Sequence, residues 1–538
     1  VEQGKIDLDA DVNRYLDFQI PPYEGKPVTM RQIMTHTAGF EEQVKNLIEP
    51  EGGETPTYDV LLKRWVPNRI FAPGTTPAYS NYATSLAGYI VERVSGEKFF
   101  DYIDRHILAP LDMRNSTFRQ PLPAKMKPFM ATGYQRASGE PMKFEIVGPA
   151  PAGSLSSTGA DMGKFMIAHL NQGEYQGQRI LKPETAQLMH ESALTIIPPL
   201  DRMRLGFFET NINGEEVIAH LGDTGAFHSS LHLFLDRDTG LYLSLSSGGK
   251  NGASNGVRIG LFEQFADRYF PKPQREVLGV SKEDAKKHAE MMAGNWMASR
   301  RAESTFLNIT QLLGQLTLST GKDGELVTPE GFGLTGHPPK WVEVAPFVWH
   351  DLNSHQRLAA VVENGEVKRV SLSIMSAFTV FDRPGAFKNA AVILPLVQLA
   401  LVILLLTAIL WPVRWLVRRH HKAPFHLTGR ELLGYRLSRW SALLIILVLA
   451  GWATVISLLF ADLANLAGAF DPAVILLQIL TFLVFFGGLA AFVWYLVQVW
   501  RGRRSWWAKA WSVALVFAGV MMIWVGLAFH LISLGRNY

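Results

Sequence analysis

The stretch Phe71-Ala72-Pro73-Gly74-Thr75-Thr76-Pro77-Ala78-Tyr79-Ser80-Asn81-Tyr82-Ala83 decides how the rest of the chain is read. A Pro/Gly-rich turn delivers the backbone into Tyr79-Ser80-Asn81. A helical run follows, Leu86 to Val94, closed by Ser95-Gly96. A phenol and a carboxamide two residues apart at the edge of a helix put a proton carrier and an amide-reading group in one cleft. An isolated Tyr-x-Asn also fits an ordinary turn, so the neighbouring segments decide.

Upstream, Thr29 is an N-cap for a short helix that ends in Thr35-His36-Thr37-Ala38-Gly39, and His36 reads as a structural histidine at that helix end. Val1-Glu2-Gln3 before Gly4 looks like the last turn of a helix whose body lies upstream, and the chain reads as a piece lacking its N-terminal part. Downstream, Thr158 and Asp161 fit a capping box before an apolar run. Val217 to Phe227 reads as a strand breaking into a tight turn. Leu231–Leu235 and Leu241–Leu245 flank Asp236-Arg237-Asp238-Thr239-Gly240 as a hairpin, and a Gly-rich loop enters a helix spanning Val257 to Tyr269. Helices around antiparallel strands predict an α+β layer structure.

Several of these segments together resemble the serine hydrolases that include class C β-lactamases, D-alanyl-D-alanine peptidases and related esterases. The matching pieces are Gly4 to Val12, Thr35–Gly39, Pro73-Gly74 with Tyr79-Ser80-Asn81, Pro110–Met113, Ala152–Ser157 and His220-Leu221-Gly222. They occur in the family's order over about half the chain. The resemblance implies a β-lactamase/transpeptidase-like antiparallel sheet flanked by helices, and an acyl-serine mechanism. Tyr79 would shuttle the proton between nucleophile and leaving group, and Asn81 would hold the lysine and the substrate amide. His220, Gly222, Asp223 and Gly225 would line the cleft, with the Asp223 N–H as an oxyanion donor. A free phenol titrates near pH 10, so a base role near neutrality asks for roughly 4 kcal/mol from nearby cations. The family lysine and a protonated His220 would supply that field.

The family's Ser-x-x-Lys falls upstream of Val1 in this reading, so the nucleophile is unassigned. Ser95-Gly96-Glu97-Lys98 matches the pattern but follows Tyr-Ser-Asn and sits at a helix end. Gly252-Ala253-Ser254-Asn255-Gly256 fits Gly-x-Ser-x-Gly, yet reads as a flexible loop. His220 in the place of a lysine tilts the reading toward esters or peptides over efficient β-lactam hydrolysis.

Residues 273–386 carry short strand-like pieces, from Phe306–Ile309 to Val370–Ile374, that predict a small β-barrel or sandwich after a hydrolase domain at 1–272. His337, His350 and His355 have no tight ligand spacing, and neither metal nor cofactor is expected. Cysteine is absent, which excludes disulfides and thiolate metal sites.

From residue 387 four apolar runs are long enough to cross a bilayer, Ala390–Val413, Ser441–Phe460, Ala473–Val499 and Ala510–Leu534. The net charge of +4 comes largely from basic clusters beside them and so speaks of membrane topology, with no nucleic-acid partner. Arg414, Arg418, Arg419, Lys422, Arg430, Arg436 and Arg439 fall between the first two runs, and Arg501, Arg503, Arg504 and Lys509 between the last two. Both basic loops then face the cytoplasm, and the hydrolase domain faces outward from a bacterial inner membrane. Gln398, Gln478 and His530 are the polar residues within spans, and they read as helix-packing groups.

The expected activity is hydrolysis of amides or esters: cell-wall D-amino-acid peptides, β-lactams or small esters. An inactive ligand-binding or sensor module, a transporter with an outer domain, and an α/β-hydrolase using Ser254 are the alternatives.

Overall fold

A computed structural model describes residues 1–52, 56–272, 279–329, 332 and 338–538. They form two compact units, 1–301 with 316–383, and 302–315 with 384–538.

In the first unit, four antiparallel strands stand in the order β4-β3-β2-β1: β1 (Phe208–Glu209), β2 (Val217–Asp223), β3 (His228–Phe234) and β4 (Thr239–Leu245). The β3–β4 turn closes at Asp238, whose φ of 45° is the left-handed value that Asp tolerates better than most residues. Successive β2 residues point to opposite faces. Ile218 packs with Met166 of helix Gly159–Leu170, whereas Val217 packs with Phe262 and Ala266 of helix Ala253–Tyr269. The sheet is therefore flanked by helices on both faces.

Helix caps follow the sequence closely, with one revision. Thr29 and Gln32 form a complete capping box on helix Met30–Met34. Thr158 accepts from the Asp161 N–H as expected, but the Asp161 carboxylate turns away. It takes the Asn115 N–H at 2.7 Å and the Ser116 hydroxyl at 2.9 Å instead. The helix after the Gly-rich loop begins at Ala253, earlier than Val257, because Gly252 takes the left-handed turn (φ 74°) that launches it.

Eight further strands build a nearly closed sheet: β5 (Gly294–Ala298), β6 (Leu316–Thr320), β7 (Leu326–Val327), β8 (Trp341–Ala345), β9 (Val348–Asp351), β10 (Arg357–Glu363), β11 (Glu366–Leu372) and β12 (Phe381–Asp382). Their order is β7-β6-β5-β12-β11-β10-β9-β8. The two edges meet where the Trp341 indole donates to the Thr328 hydroxyl at 3.1 Å. Trp296 and Trp349 fill the interior with Leu358, Val370 and Leu372. Truncating the fully buried Trp296 to Ala is expected to cost about 3–5 kcal/mol. Among the histidines set aside as metal ligands, His355 bonds Asp267, His350 lies on β9, and His337 lies outside the described residues.

The expected strand at Phe306–Ile309 is instead a 3-10 turn, Phe306–Leu312, within the second unit. Its apolar run satisfies a helical contact: Phe306 packs on Trp452 at 5.2 Å and Tyr538 at 5.3 Å between ring centroids. Four helices follow: Ala390–His420, Gly429–Ala461, Asp471–Arg501 and Trp506–Ala528. All four are long and apolar enough to span a membrane. Most run past the apolar segments, so Arg418 and Arg419 sit on a helix and not in a loop. The last one stops earlier than Leu534. His530 lies beyond it, in a turn with φ 57°. The tail past this turn returns to Gln478, whose carboxamide exchanges two hydrogen bonds with Gly535, at 3.1 and 3.2 Å. Arg439, expected in a loop, is buried within Gly429–Ala461 between the rings of Tyr435 (3.9 Å) and Tyr495 (4.6 Å). Two aromatic faces and the Ser438 hydroxyl make that burial tolerable for a cation.

Candidate active site

Tyr79 enters the cleft from an extended segment whose backbone is pinned on two sides. The Ala78 N–H donates to the His36 carbonyl, and the Tyr79 N–H donates to the Phe378 carbonyl, both at 2.9 Å. Ser80 caps helix Asn81–Ser95 by accepting the Ala83 N–H at 3.1 Å, which fixes Asn81 as the first helical residue. The Asn81 carboxamide is half-buried and has no hydrogen-bond partner among the described residues.

His36 is the residue that the sequence reading undervalued. Its ring lies 4.0 Å from the Tyr79 ring between centroids, and its Nδ1 accepts the Ser80 N–H at 3.4 Å. Its φ of 51° is left-handed, a conformation that costs about 1–2 kcal/mol for a residue with a Cβ. The surrounding loop holds it there. Gly39 follows with φ 86°, and a Cβ at that position would lie 2.2 Å from the Phe71 carbonyl oxygen, so only glycine fits.

On the facing side, β1 reaches only Ile218 and Ala219 of β2, so among the described residues no strand pairs with that edge of β2 from His220 onward. His220 brings its ring to 6.5 Å from Tyr79 and 5.4 Å from Phe208. Tyr79 and His220, remote in sequence, therefore come together in the fold. Gly222 lies further along the edge, where an added Cβ would meet the Ser229 hydroxyl at 2.7 Å. Asp223 binds His228 at 2.7 Å and Arg258 at 2.8 Å. Gly225 lies in the turn beyond, and its N–H is already donated to the Glu145 carboxylate at 2.7 Å.

A third wall comes from the barrel. Arg300, just past β5, places its guanidinium 4.9 Å from the centre of the Tyr79 ring and pairs with Glu42. Ser299 and Thr379 tie the same strand ends to the Pro77-Ala78 backbone. No local pattern in the sequence marks Arg300 or Glu42. Their part in the site follows from a barrel strand arriving beside Tyr79.

The electrostatics revise the expected role of His220. Burial lowers the pKa of His220, and it drives His36 down to about 3, so both imidazoles are neutral near pH 7. Burial raises the Tyr79 phenol above its ordinary value; Arg300 opposes that rise, while Glu42 and Asp223 add to it. The resting group is a neutral phenol, able to donate and relay a proton.

Two sequence matches fall elsewhere in the fold. Ser95 closes the far end of helix Asn81–Ser95, about 21 Å from Asn81 at 1.5 Å per residue. Its hydroxyl accepts the Glu97 N–H at 3.1 Å, and Lys98 pairs with Glu92 at 2.7 Å. Ser254 lies buried in the first turn of helix Ala253–Tyr269. Its N–H donates to the Gly248 carbonyl at 3.2 Å.

The family model described as Beta-lactamase matches residues 1–264. D-alanyl-D-alanine-carboxypeptidase/endopeptidase AmpH of Escherichia coli (strain K12) is 27% identical over 180 residues, 33% of this chain and 46% of that protein. Protein Rv1367c of Mycobacterium tuberculosis is 28% identical over 225 residues, 36% of this chain and 55% of that protein. The chain thus spans about half the length of the curated relatives it matches. Among solved structures, an octameric penicillin-binding protein homologue from Pyrococcus abyssi aligns with a TM-score of 0.42 and 18% identity, covering 71% of this chain and 84% of that one. A class C beta-lactamase aligns with a TM-score of 0.39 and 19% identity over 48% of this chain and 74% of that one. Residues 1–264 thus match the beta-lactamase family model and build an antiparallel sheet flanked by helices.

Proposed function

We propose that the chain is part of a membrane-anchored serine hydrolase that transfers acyl groups from amides or esters and acts outside the cytoplasm. The observation that carries the reading is the meeting of Tyr79 with His36, His220 and Arg300 beside the edge of β2 from His220 onward. In this reading a serine Oγ attacks the substrate carbonyl carbon, and the neutral Tyr79 phenol relays its proton to the departing nitrogen or oxygen. Water then cleaves the acyl-serine ester, returning the serine. Asn81 orients the substrate amide. Gly222 allows close approach to β2, and the Asp223 N–H faces the developing oxyanion. Gly225 shapes the turn.

The Ser95–Lys98 match is remote from Tyr79, so the nucleophile stays unassigned in this reading. We assign the hydrolase domain to 1–272, a β-barrel domain to 273–386 and the membrane region to 387–538. Cell-wall D-amino-acid peptides, β-lactams and small esters are the candidate substrates. An inactive ligand-binding module is the second reading, favoured by the raised pKa of Tyr79.

Labelling of the full-length protein with a fluorophosphonate or a fluorescent penicillin, with the adduct located by mass spectrometry, separates the readings. A serine adduct whose formation falls about 10²–10⁴-fold in Tyr79→Phe supports the hydrolase. Ligand binding without any adduct supports the inactive module. An adduct on Ser254 overturns the site, and so does turnover by residues 1–538 alone. Single cysteines placed in this cysteine-free chain, at Gly139 and at Ala423, test the orientation by thiol labelling from either side.

A further inference from the structure

The end of the helical unit that carries the basic residues holds a cavity of about 880 Å³ between helices Ala390–His420 and Gly429–Ala461. Its charge is one-sided. Arg418, Arg419, Lys422 and Arg436 line it, and no carboxylate does. Among the described residues none of these four cations forms an ion pair, and the acidic residue opening the second helix, Glu431, faces Arg504 at 4.0 Å. Behind them Arg439 is buried against Tyr435, again with no carboxylate partner among the described residues, and adds to the positive potential.

The walls are as one-sided in a second sense. Trp411 and Trp440 meet edge to face at 5.1 Å, Phe425 packs on Tyr435 at 5.5 Å, and Arg418 covers the Phe425 ring at 4.3 Å. Deeper along the helices the lining turns aliphatic, with Ala408 and Leu443. Cations at the mouth, an aromatic collar and an apolar floor match a phosphate head joined to a long hydrocarbon tail. Pro412 lies inside the first helix at this level, where its ring has no N–H to donate to the preceding turn.

We propose that this groove is a binding site for an anionic phospholipid, its phosphate held by Arg418, Arg419, Lys422 and Arg436 and its acyl chain lying along Trp411 and Leu443. The proposal rests on the four helices lying in a bilayer. Insertion of the chain into phosphatidylcholine vesicles tests that premise by itself. Failure to insert removes the membrane reading, whereas insertion without lipid preference removes only the groove.

The test is native mass spectrometry of the full chain, extracted from bilayers with equal phosphatidylglycerol and phosphatidylcholine. Phosphatidylglycerol is expected to be retained about tenfold or more over phosphatidylcholine, and retention should fall about fivefold for each cation exchanged in the series Arg436→Gln, Arg418→Gln, Arg419→Gln, Lys422→Gln. Excess inorganic phosphate is expected to leave the lipid in place; its displacement would identify a site for free phosphate and overturn the lipid assignment. Equal retention of the two lipids by the unmodified chain also overturns it. Because that comparison uses no variant, a misfolded multiple mutant cannot obscure the result. Circular dichroism checks the helices of each variant.

Discussion

Cations are handled in opposite ways in the two units. In the first unit Arg300 meets Glu42, Arg258 meets Asp223 and Arg204 meets Glu209. Around the groove of the helical unit Arg418, Arg419, Lys422 and Arg436 meet none among the described residues. Burial explains the difference. Arg204 and Glu209 are 2% and 1% exposed, and a cation removed from water needs a partner within the fold, a carboxylate for Arg204 and the rings of Tyr435 and Tyr495 for Arg439. The groove opens to solvent, so its cations remain hydrated and available to an outside anion. A closed charge holds structure in place, whereas an open one offers a site.

The largest effect is expected where a closed pair is opened. Glu209→Ala removes the buried carboxylate shared by Arg202 and Arg204, leaves Arg204 only the half-exposed Glu216, and should cost about 3 kcal/mol in chemical denaturation of the solubilised protein. Arg436→Gln, in the groove, should stay within about 0.5 kcal/mol. Similar costs for the two would erase the contrast.

Protonation attacks the closed unit from another direction. His169 and His190 are buried and share a hydrogen bond at 3.1 Å, and burial lowers their pKa values to about 3 and about 4. Both are neutral in the fold, while the unfolded chain protonates near pH 6.5. Stability from this pair is therefore complete above about pH 6.5 and is lost as pH falls toward 4, at up to about 1.4 kcal/mol per pH unit for each histidine. Melting temperatures measured from pH 7 to pH 4 should drop steeply, and a His169→Gln/His190→Gln variant should flatten the drop. An unchanged slope in that variant would contradict the assignment.

Arg300 tests the closed pair inside the cleft. Arg300→Gln removes the cation that restrains the pKa of Tyr79, so that pKa moves further up. Under the proposed function, acylation at neutral pH should slow by about tenfold and its basic limb should shift upward, with Arg300→Lys restoring part of the rate. A fall in rate with no shift of the pH profile would assign Arg300 a packing role only.

The smallest effect belongs to an exposed pair. Lys98 is 75% exposed, so Lys98→Ala should cost less than about 1 kcal/mol. Ser95→Ala with Lys98→Ala should leave active-site labelling of the full-length protein unchanged; abolished labelling would move the nucleophile to Ser95.

Legibility followed the range of the interactions. Thr29 and Thr158 were readable as caps because a cap bond spans only three residues, and the β3–β4 hairpin because its turn chemistry is local. The four apolar helices were readable from length and composition, but their ends were not, since helix continues into basic segments that hydropathy marks as loop. Phe306–Ile309 was misread as a strand because four residues carry no decisive period, and Trp452 and Tyr538 set its conformation. His36 was discounted because the group it faces, Tyr79, comes from another segment of the chain.

The amino-acid sequence by itself determined the α+β class, the ordered motifs that carry Tyr79, Asn81 and His220, and the four apolar helices, because caps, turns and hydropathy act between near neighbours. Only the tertiary structure decided that Arg300 leaves the barrel to cover Tyr79, that His220 is neutral, and that the cations at the basic end surround a groove. Those outcomes depend on burial and on contacts between residues far apart in the chain, and no local pattern encodes either.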